Sequence, residues 1–158
     1  IPKRDWSSDV CSSDLEDMNN VKLEQLVTDL SENQLSDGTN LSIEMFDGEN
    51  TVACIKVEDR DEFPIYMTAD EGQVLCITYL FSEDEVDPAK RAELAEAMLL
   101  MNVMIPLSAF SKIGNQYIMF GALSPRASID ELLHEIELLS DNVLEAIATM
   151  TDYLKEAA

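Results

Sequence analysis

Residues 128–154, SIDELLHEIELLSDNVLEAIATMTDYL, predict one long amphipathic helix that closes the chain. Ser128 and Glu131 have the spacing of a capping box, in which each side chain satisfies a backbone N–H of the first turn. The stripe of apolar residues along this helix is the strongest secondary-structure signal in the chain, because it continues for about seven turns. Its apolar residues recur at intervals of three and four: Ile129, Leu132, Leu133, Ile136, Leu139, Val143, Ile147, Met150 and Leu154.

Two shorter patterns near the start predict a helix and a hairpin. Strands are predicted over 41–45, where apolar and polar residues alternate, and over 51–57. Asp47 and Gly48 tolerate positive φ, so they suit the turn between these strands. Residues 19–34 have the apolar spacing of an amphipathic helix, carried by Leu23, Leu26, Val27 and Leu30.

The next two strands are predicted from a proline and an apolar run. Residues 63–68 form a strand pattern interrupted by Pro64, and because proline cannot donate to a β-ladder, Pro64 predicts an edge strand. Residues 73–81 (QVLCITYLF) form a near-continuous apolar run. Such a run is typical of a central strand that is buried on both faces.

A central helix is predicted to begin at Asp87 and Pro88, with the aspartate as N-cap and the proline at the first helical position. Pro106 ends this helix, because proline interrupts helical hydrogen bonding. The last two strands are predicted over 107–111 and 116–123.

The central helix has more apolar surface than one sheet can cover, because residues 97–104 are apolar on nearly all sides. The methionines either fill the core or form a soft, adaptable docking surface. A homodimer built on this helix would satisfy both interpretations. The methionines concerned are Met98, Met101, Met104, Met119 and Met150.

Together these elements predict an α+β fold. It has a helix, a mostly antiparallel sheet of five or six strands, a central helix and a long C-terminal helix, in the order α-β-β-β-α-β-β-α. This plan and the acidity of the chain resemble the small acidic chaperones of type III secretion, which bind proteins and catalyse no reaction. A likeness of fold is only a weak argument for function.

Residues 1–15 are expected to be a tail outside the domain. Residues 5–15 (DWSSDVCSSDL) have no apolar periodicity and closely resemble the translation of a short-read sequencing adapter, so we interpret them as an assembly artefact. The alternative is a genuine disordered arm, which their serine and aspartate content permits. Residues 16–158 then form a single α+β domain of ordinary size.

The charge of the chain limits its partners. The formal net charge is −22 at pH 7, and removing residues 1–15 changes it by one unit. Such a field repels nucleic acid and anionic membrane surfaces, and no stripe of Lys or Arg interrupts it. No apolar run approaches the ~20 residues of a membrane span, and no signal peptide is visible. We therefore expect a cytoplasmic protein that neither binds nucleic acid nor inserts into a membrane.

No residue cluster predicts catalysis, a cofactor or a metal site, so we expect no enzyme. The acidic runs 58–62 and 83–87 lack the ligand pattern of a calcium loop and are interpreted as solvated loops. No glycine-rich phosphate loop and no GxSxG motif occurs. The only histidine, His134, is interpreted as an exposed residue, with a weak pH sensor as the alternative. Acidic residues share its side of the helix: Asp130, Glu131, Glu137 and Asp141.

Cys54 and Cys76 lie within apolar strand patterns and are interpreted as buried thiols in a reducing cytosol. The alternative is a regulatory disulfide between them, which requires adjacent strands and close Cβ atoms. Trp6 and Cys11 belong to the predicted tail and enter no functional argument.

Three stretches resemble the YjfI family of uncharacterised bacterial proteins: QVLCITYLF (73–81), AEAMLLMNVMIPLSAFSKIGNQYIMFGALS (95–124) and LLHEIELLSDNVLEAIATMTDYL (132–154). The resemblance extends over nearly everything after residue 20. It implies no activity and no functional residue. Genes of that family lie near relatives of phage-shock protein A, a coiled-coil membrane-stress protein, so the resemblance implies a helical partner of that class.

We therefore predict a non-catalytic, chaperone-like homodimer that binds another protein through an apolar sheet or helix surface rimmed by acidic residues. The alternative is a small-ligand or regulatory sensor domain with a pocket between helix and sheet. A carboxylate-based hydrolase is a third, weaker hypothesis.

Overall fold

The structure, a computed structural model, describes residues 12–156. The helices are α1 (Ser12–Ser31), α2 (Arg91–Asn102) and α3 (Ile129–Met150). The strands are β1 (Leu41–Phe46), β2 (Val52–Val57), β3 (Ile65–Ala69), β4 (Val74–Ser82), β5 (Ala109–Ile113) and β6 (Gln116–Leu123). This confirms the predicted α+β class. The four strands between α1 and α2 lie where the sequence predicts them by range, one more than the order α-β-β-β-α-β-β-α contains.

The described strands form one six-stranded antiparallel sheet in the order β1-β2-β3-β4-β6-β5. Strands β1 to β4 follow one another as neighbours. The segment containing α2 then carries the chain past the position of β6 to the far edge, and the β5–β6 hairpin returns beside β4. The two edge strands are therefore β1 and β5.

The helices and alternate strand residues form one core on a single face of the sheet, here called the inner face. Helix α1 lies over β1 to β3, α3 lies over β4 and β6, and α2 contacts β5. The burial of apolar area between these two layers is the main force that holds the fold together. The core includes Leu23, Leu30, Leu94, Ile136 and Leu139 from the helices and Ala53, Ile55, Ile65, Met67, Cys76 and Met119 from the strands.

The predicted starts of the second and third helices are confirmed. The backbone N–H of Glu131 donates to the hydroxyl of Ser128 over 3.2 Å, and the N–H of Ser128 donates to the carboxylate of Glu131 over 2.9 Å. The carboxylate of Asp87 accepts from the N–H of Ala89 over 3.0 Å, and Pro88 opens a short 3₁₀ turn that leads into α2.

The bounds of α1 differ from the prediction of 19–34. The helix begins at Ser12 and ends at Ser31. The turns upstream of Leu23 gave no periodic signal, because polar and charged residues outnumber apolar ones there. Residues 1–11 of the predicted tail lie outside the described residues, whereas residues 12–15 belong to α1.

The prediction that Pro64 marks an edge strand is wrong. Strand β3 lies between β2 and β4 and is hydrogen-bonded to both. Pro64 directly precedes Ile65, the first residue of β3, so its missing N–H falls just outside the ladder.

Candidate functional site

A row of paired residues crosses all six strands on the face of the sheet opposite the helices. Directly paired residues in an antiparallel sheet share a face, as do residues two apart along one strand. The register aligns Glu44, Cys54, Tyr66, Ile77, Phe120 and Ala109. We call the apolar centre of this surface the outer face; it consists of Cys54, Tyr66, Leu75, Ile77, Tyr79, Ile118 and Phe120.

No helix within residues 12–156 covers the outer face. None of its seven residues belongs to the core cluster that contains the three helices. Tyr79 is 43% exposed, and Tyr66, Leu75, Ile77 and Phe120 are half-buried. Cys54 and Ile118 are buried, although no described helix packs on them. The outer face is therefore an apolar surface that these residues leave without a second layer.

The exposure of β4 corrects one prediction. The strand is central, as its apolar run predicted, but it is not buried on both faces. Val74, Cys76 and Thr78 are buried on the inner face, whereas Ile77 and Tyr79 on the outer face retain contact with solvent. A near-continuous apolar strand thus occurs here although residues 12–156 supply a covering layer on one face only.

The composition of the outer face suits contact with another polypeptide. The rings of Tyr66 and Tyr79 meet edge to face, with centroids 5.7 Å apart and planes inclined by 70°. Tyrosine is enriched in protein interfaces, because it combines a large apolar body with a polar tip. The charged side chains that the strands place on this face, Glu44 and Lys56, lie at the β1 side of it. Its centre can bind by apolar contact and offers no acid–base pair.

The two cysteines lie on opposite faces of the sheet. Cys54 belongs to β2 and faces outward, whereas Cys76 belongs to β4 and faces the helices. Strand β3 separates them, and two strand spacings of ~4.8 Å exceed the ~7 Å limit between the Cα atoms of a disulfide. Both thiols are free and buried, which confirms the predicted burial and excludes a disulfide between them in this fold.

Neither thiol is expected to react with alkylating reagents at pH 7–8 while the protein is folded. Burial raises the pKa of Cys76 to about 12 and also raises the pKa of Cys54, and the reactive form of cysteine is the thiolate. Peptide mapping by mass spectrometry after iodoacetamide treatment checks this, with a denatured sample as the control. Rapid labelling of Cys76 in the folded chain would contradict the described burial.

The end of α2 forms a second exposed apolar surface. We call this surface the α2 tip, which consists of five residues with exposed fractions between 58% and 89%: Leu99, Leu100, Val103, Met104 and Leu107. The helix ends at Asn102, so Met104 lies in the following turn and not on the helix as predicted. The prediction that one sheet cannot cover all of this apolar surface is confirmed.

The two interpretations of the methionines apply to different residues. Met98, Met119 and Met150 are buried in the core, and Met101 is half-buried against it. Met104 is 79% exposed and belongs to the α2 tip. Core filling therefore accounts for four of these five methionines, and Met104 is the one of the five that is free to contact another molecule.

A buried carboxyl group lies between α3 and β6. Glu135 is 1% exposed, and its Oε1 has no hydrogen-bond partner among the residues that the structure describes. A Cβ added to Gly121 would overlap this oxygen, so Glu135 packs directly on the glycine backbone. Burial raises the pKa of Glu135, and the charge of His134 opposes that rise.

Sequence reasoning missed the contact between Glu135 and Gly121, although two signals were present. Glu135 falls within the apolar stripe of α3, between Leu132 and Leu139. Gly121 is isolated within an apolar strand, a pattern that often marks the close approach of another group to the backbone.

A polar cleft lies between the middle of α1 and the β1–β2 turn. Its volume is about 500 Å³. It corresponds to the predicted pocket between helix and sheet, although polar groups contribute much of its lining. The lining includes Asn19, Asn20, Asn50, Thr51, Thr68 and Asp70.

The remaining polar residues singled out by sequence are mostly at the surface. His134 is exposed, as predicted, and so are Asp130, Glu131 and Asp141 on its helix. The acidic run 58–62 is tied to α3, because Arg60 pairs with Asp141 over 2.6 Å and donates to Ser140 over 2.9 Å. Within the part of the chain that was described, no three His, Cys, Asp or Glu residues group to hold a metal ion.

Among the described helices, none is both long and apolar enough to pass through a bilayer.

Comparison with known proteins identifies a family and a fold. The profile of a bacterial family, DUF2170, described as "Uncharacterized protein conserved in bacteria", matches residues 20–154. The search of curated proteins gave no match. Among solved structures, the chain is similar to YbjN from E. coli, a suggested transcription regulator, with a TM-score of 0.53 and 15% identity. That match covers 81% of this chain and 90% of YbjN, and at this identity it shows the fold alone.

Proposed function

Because the chain belongs to the DUF2170 family of bacterial proteins, whose description names no reaction, we propose a function from its surfaces. The protein is a non-catalytic, acidic, chaperone-like binding protein. Its outer face receives another polypeptide, and the acidic groups around the rest of the molecule keep it in water and select the partner.

The uncovered outer face is the observation that carries this proposal. When one face of an antiparallel sheet meets solvent, its strands usually alternate between apolar and polar side chains. Here the solvent side of β4 presents Leu75, Ile77 and Tyr79 in succession. Contiguous exposed apolar patches on soluble domains mark interaction sites. Covering such a patch contributes ~25 cal/mol for each Å² of apolar surface removed from water.

The charge of the chain narrows the chemistry of the partner. A net charge of −22 disfavours nucleic acid and anionic membranes and favours a polypeptide with Lys or Arg beside its apolar residues. An amphipathic helix with basic flanks combines these properties. The resemblance to the YjfI family points to a phage-shock protein A-like coiled coil in the cytoplasm as the partner to test first.

Tyr79→Glu is expected to weaken binding of a purified phage-shock protein A-like protein from the same bacterium by at least about tenfold. The substitution places a carboxylate, which must lose its water, at the centre of an apolar contact. Isothermal titration calorimetry with the wild-type and variant chains measures the difference.

Leu144→Glu provides a matched control for this experiment. Leu144 is 41% exposed, nearly the same as Tyr79, but it lies on α3 on the other side of the sheet. We expect this variant to bind as the wild type does, and thermal unfolding confirms that both variants are folded. Equal losses in the two variants would place the contact elsewhere, and a wild-type chain that does not bind would exclude this partner.

The polar cleft favours a second function, that of a small-ligand sensor. Its volume of about 500 Å³ falls within the range of small-molecule sites. Thermal shifts with a metabolite library test this function. A metabolite that stabilises the wild type, but not a Thr51→Trp variant with the cleft filled, would support the sensor over the protein-binding function.

A further inference from the structure

We propose that the α2 tip and the groove beside it form a two-fold contact between two copies of this chain. The groove lies between α2 and β5, has a volume of about 470 Å³, and includes Met98, Phe110 and Tyr117 in its lining. The tip supplies protruding apolar side chains and the groove supplies an apolar recess. One patch therefore carries both halves of a contact, which is what a two-fold interface requires. This inference does not depend on the outer face.

The turn that carries the α2 tip is held in place by the rest of the fold. The side-chain amide of Asn142 on α3 donates to the carbonyl of Pro106 and to the hydroxyl of Ser108, both over 3.0 Å. Between these two residues, Leu107 has a φ of 61°, a conformation that non-glycine residues seldom adopt. The fold thus fixes Leu107 with its side chain 58% exposed. A surface that is already ordered loses less entropy on binding.

The absence of charge on this patch favours a second copy as its occupant. A two-fold contact brings the same patch of both copies together. On a chain with a net charge of −22, most such patches would place like charges close to each other. Residues 97–111 contain no ionisable side chain. The segment itself therefore adds no carboxylate to the contact. Glu145 of α3 lines a recess beside Met104, at the side of the tip.

The charges at the rim of the groove also fit a second copy. Arg91 and Lys112 line the groove and both pair with Glu83, and Glu93 and Glu96 are exposed along α2. The rim therefore carries positive and negative side chains. A two-fold axis can place the positive side chains of one copy beside the negative side chains of the other. Among the described residues that line the groove, the carboxylate of Glu83 is already paired with Arg91 and Lys112, so the groove offers no unpaired acid to a basic polypeptide.

The edge of β5 shows that the contact uses side chains rather than an extension of the sheet. The backbone N–H of Phe110 donates to the side-chain oxygen of Asn102 over 2.7 Å, and the amide of Asn102 donates to the carbonyl of Phe110 over 3.4 Å. Asn102 thus occupies the outward hydrogen-bonding groups at the middle of this edge strand. A strand from another chain cannot pair there without displacing it.

Sedimentation and light scattering on the full chain test this proposal. In reducing buffer, which prevents Cys11 from linking chains, we expect the wild type to approach twice its mass of 17.7 kDa as its concentration rises. Val103 is 89% exposed, so Val103→Glu should leave the fold intact. It should raise the dimer dissociation constant by at least about tenfold, because each copy would have to bury a carboxylate in an apolar contact.

Two further variants make the result specific. Leu144→Glu adds the same charge elsewhere and should remain dimeric, and Tyr79→Glu should also remain dimeric while losing the proposed partner. A wild type that stays monomeric up to its solubility limit would overturn the proposal. Undiminished dimerisation of Val103→Glu would overturn it as well, because the contact would then lie at another surface.

Discussion

Gly121→Ala is expected to lower the free energy of unfolding by about 1–3 kcal/mol. An added Cβ would overlap Oε1 of Glu135 and lie 3.2 Å from the backbone oxygen of Leu107. Neither neighbour can move freely, since Glu135 is buried and Leu107 lies in a turn fixed by Asn142. Urea unfolding followed by circular dichroism measures the loss.

Two comparisons attribute this loss to the contact with Glu135. At Gly48 the nearest atom to an added Cβ is 3.7 Å away, so Gly48→Ala should change stability by no more than ~0.5 kcal/mol. Shortening the acid with Glu135→Ala should relieve most of the overlap, so Gly121→Ala should cost less in that background. An unchanged cost would show that Glu135 is not the obstacle.

Glu135→Gln is expected to stabilise the protein at neutral pH relative to the wild type, by an amount that grows as pH rises. Burial raises the pKa of Glu135 in the folded state. Above the pKa of ~4.3 that glutamate has in an unfolded chain, the unfolded state loses its proton first. The free energy of unfolding therefore falls by up to ~1.4 kcal/mol per pH unit until the folded-state pKa is reached. Glutamine removes this dependence.

Urea unfolding of both proteins between about pH 5 and pH 8 checks this prediction, because the carboxyl groups of unfolded chains are ionised over roughly this range. The range also stays above the sequence isoelectric point of about 4.1, where solubility is lowest. The quantity to compare is the difference in free energy of unfolding between the two proteins, because repulsion among the other acidic residues changes both free energies alike. Glu145→Gln, on the exposed side of α3, should show no such trend. A pH-independent difference for Glu135→Gln would mean that the buried carboxyl group does not titrate differently on folding.

The parts of the fold that were predicted correctly from the sequence are those that depend on a few neighbouring residues. The capping box at Ser128 and Glu131 and the start at Asp87 and Pro88 were correct, because capping hydrogen bonds form within one turn. The stripe of α3 was correct up to Met150, because the helix packs on the sheet along most of its length. Leu154, the last residue of the predicted stripe, lies beyond a 3₁₀ turn and forms a β-bridge with Val86.

Features that depend on the arrangement of the strands were predicted less well. Pro64 gave a false edge signal, because a proline just before a strand resembles one inside it. The apolar run of β4 could not show that only one of its faces is covered within the described residues, since apolarity does not specify what covers a strand. The burial of Glu135 was missed because its position depends on Gly121, which is 14 residues away in the sequence.

The sequence left open whether a sheet surface or a helix surface binds another polypeptide. The two proposals give the outer face and the α2 tip different roles. The outer face is rich in aromatic and aliphatic side chains and suits a basic amphipathic partner. The residues of the α2 tip carry no charge, and side chains of both signs lie beside it, which suits a second copy of the chain. Variants at Tyr79 and Val103 should therefore affect binding and self-association independently.

Methyl NMR during titration with the phage-shock protein A-like partner tests the central claim most directly. The claim is that another polypeptide covers the outer face. We expect the methyl signals of Leu75, Ile77 and Ile118 to shift or broaden as the partner is added, while those of the core residues Ile55 and Ile136 stay in place. Binding that perturbs other surface methyl groups and leaves the three outer-face residues unchanged would contradict it.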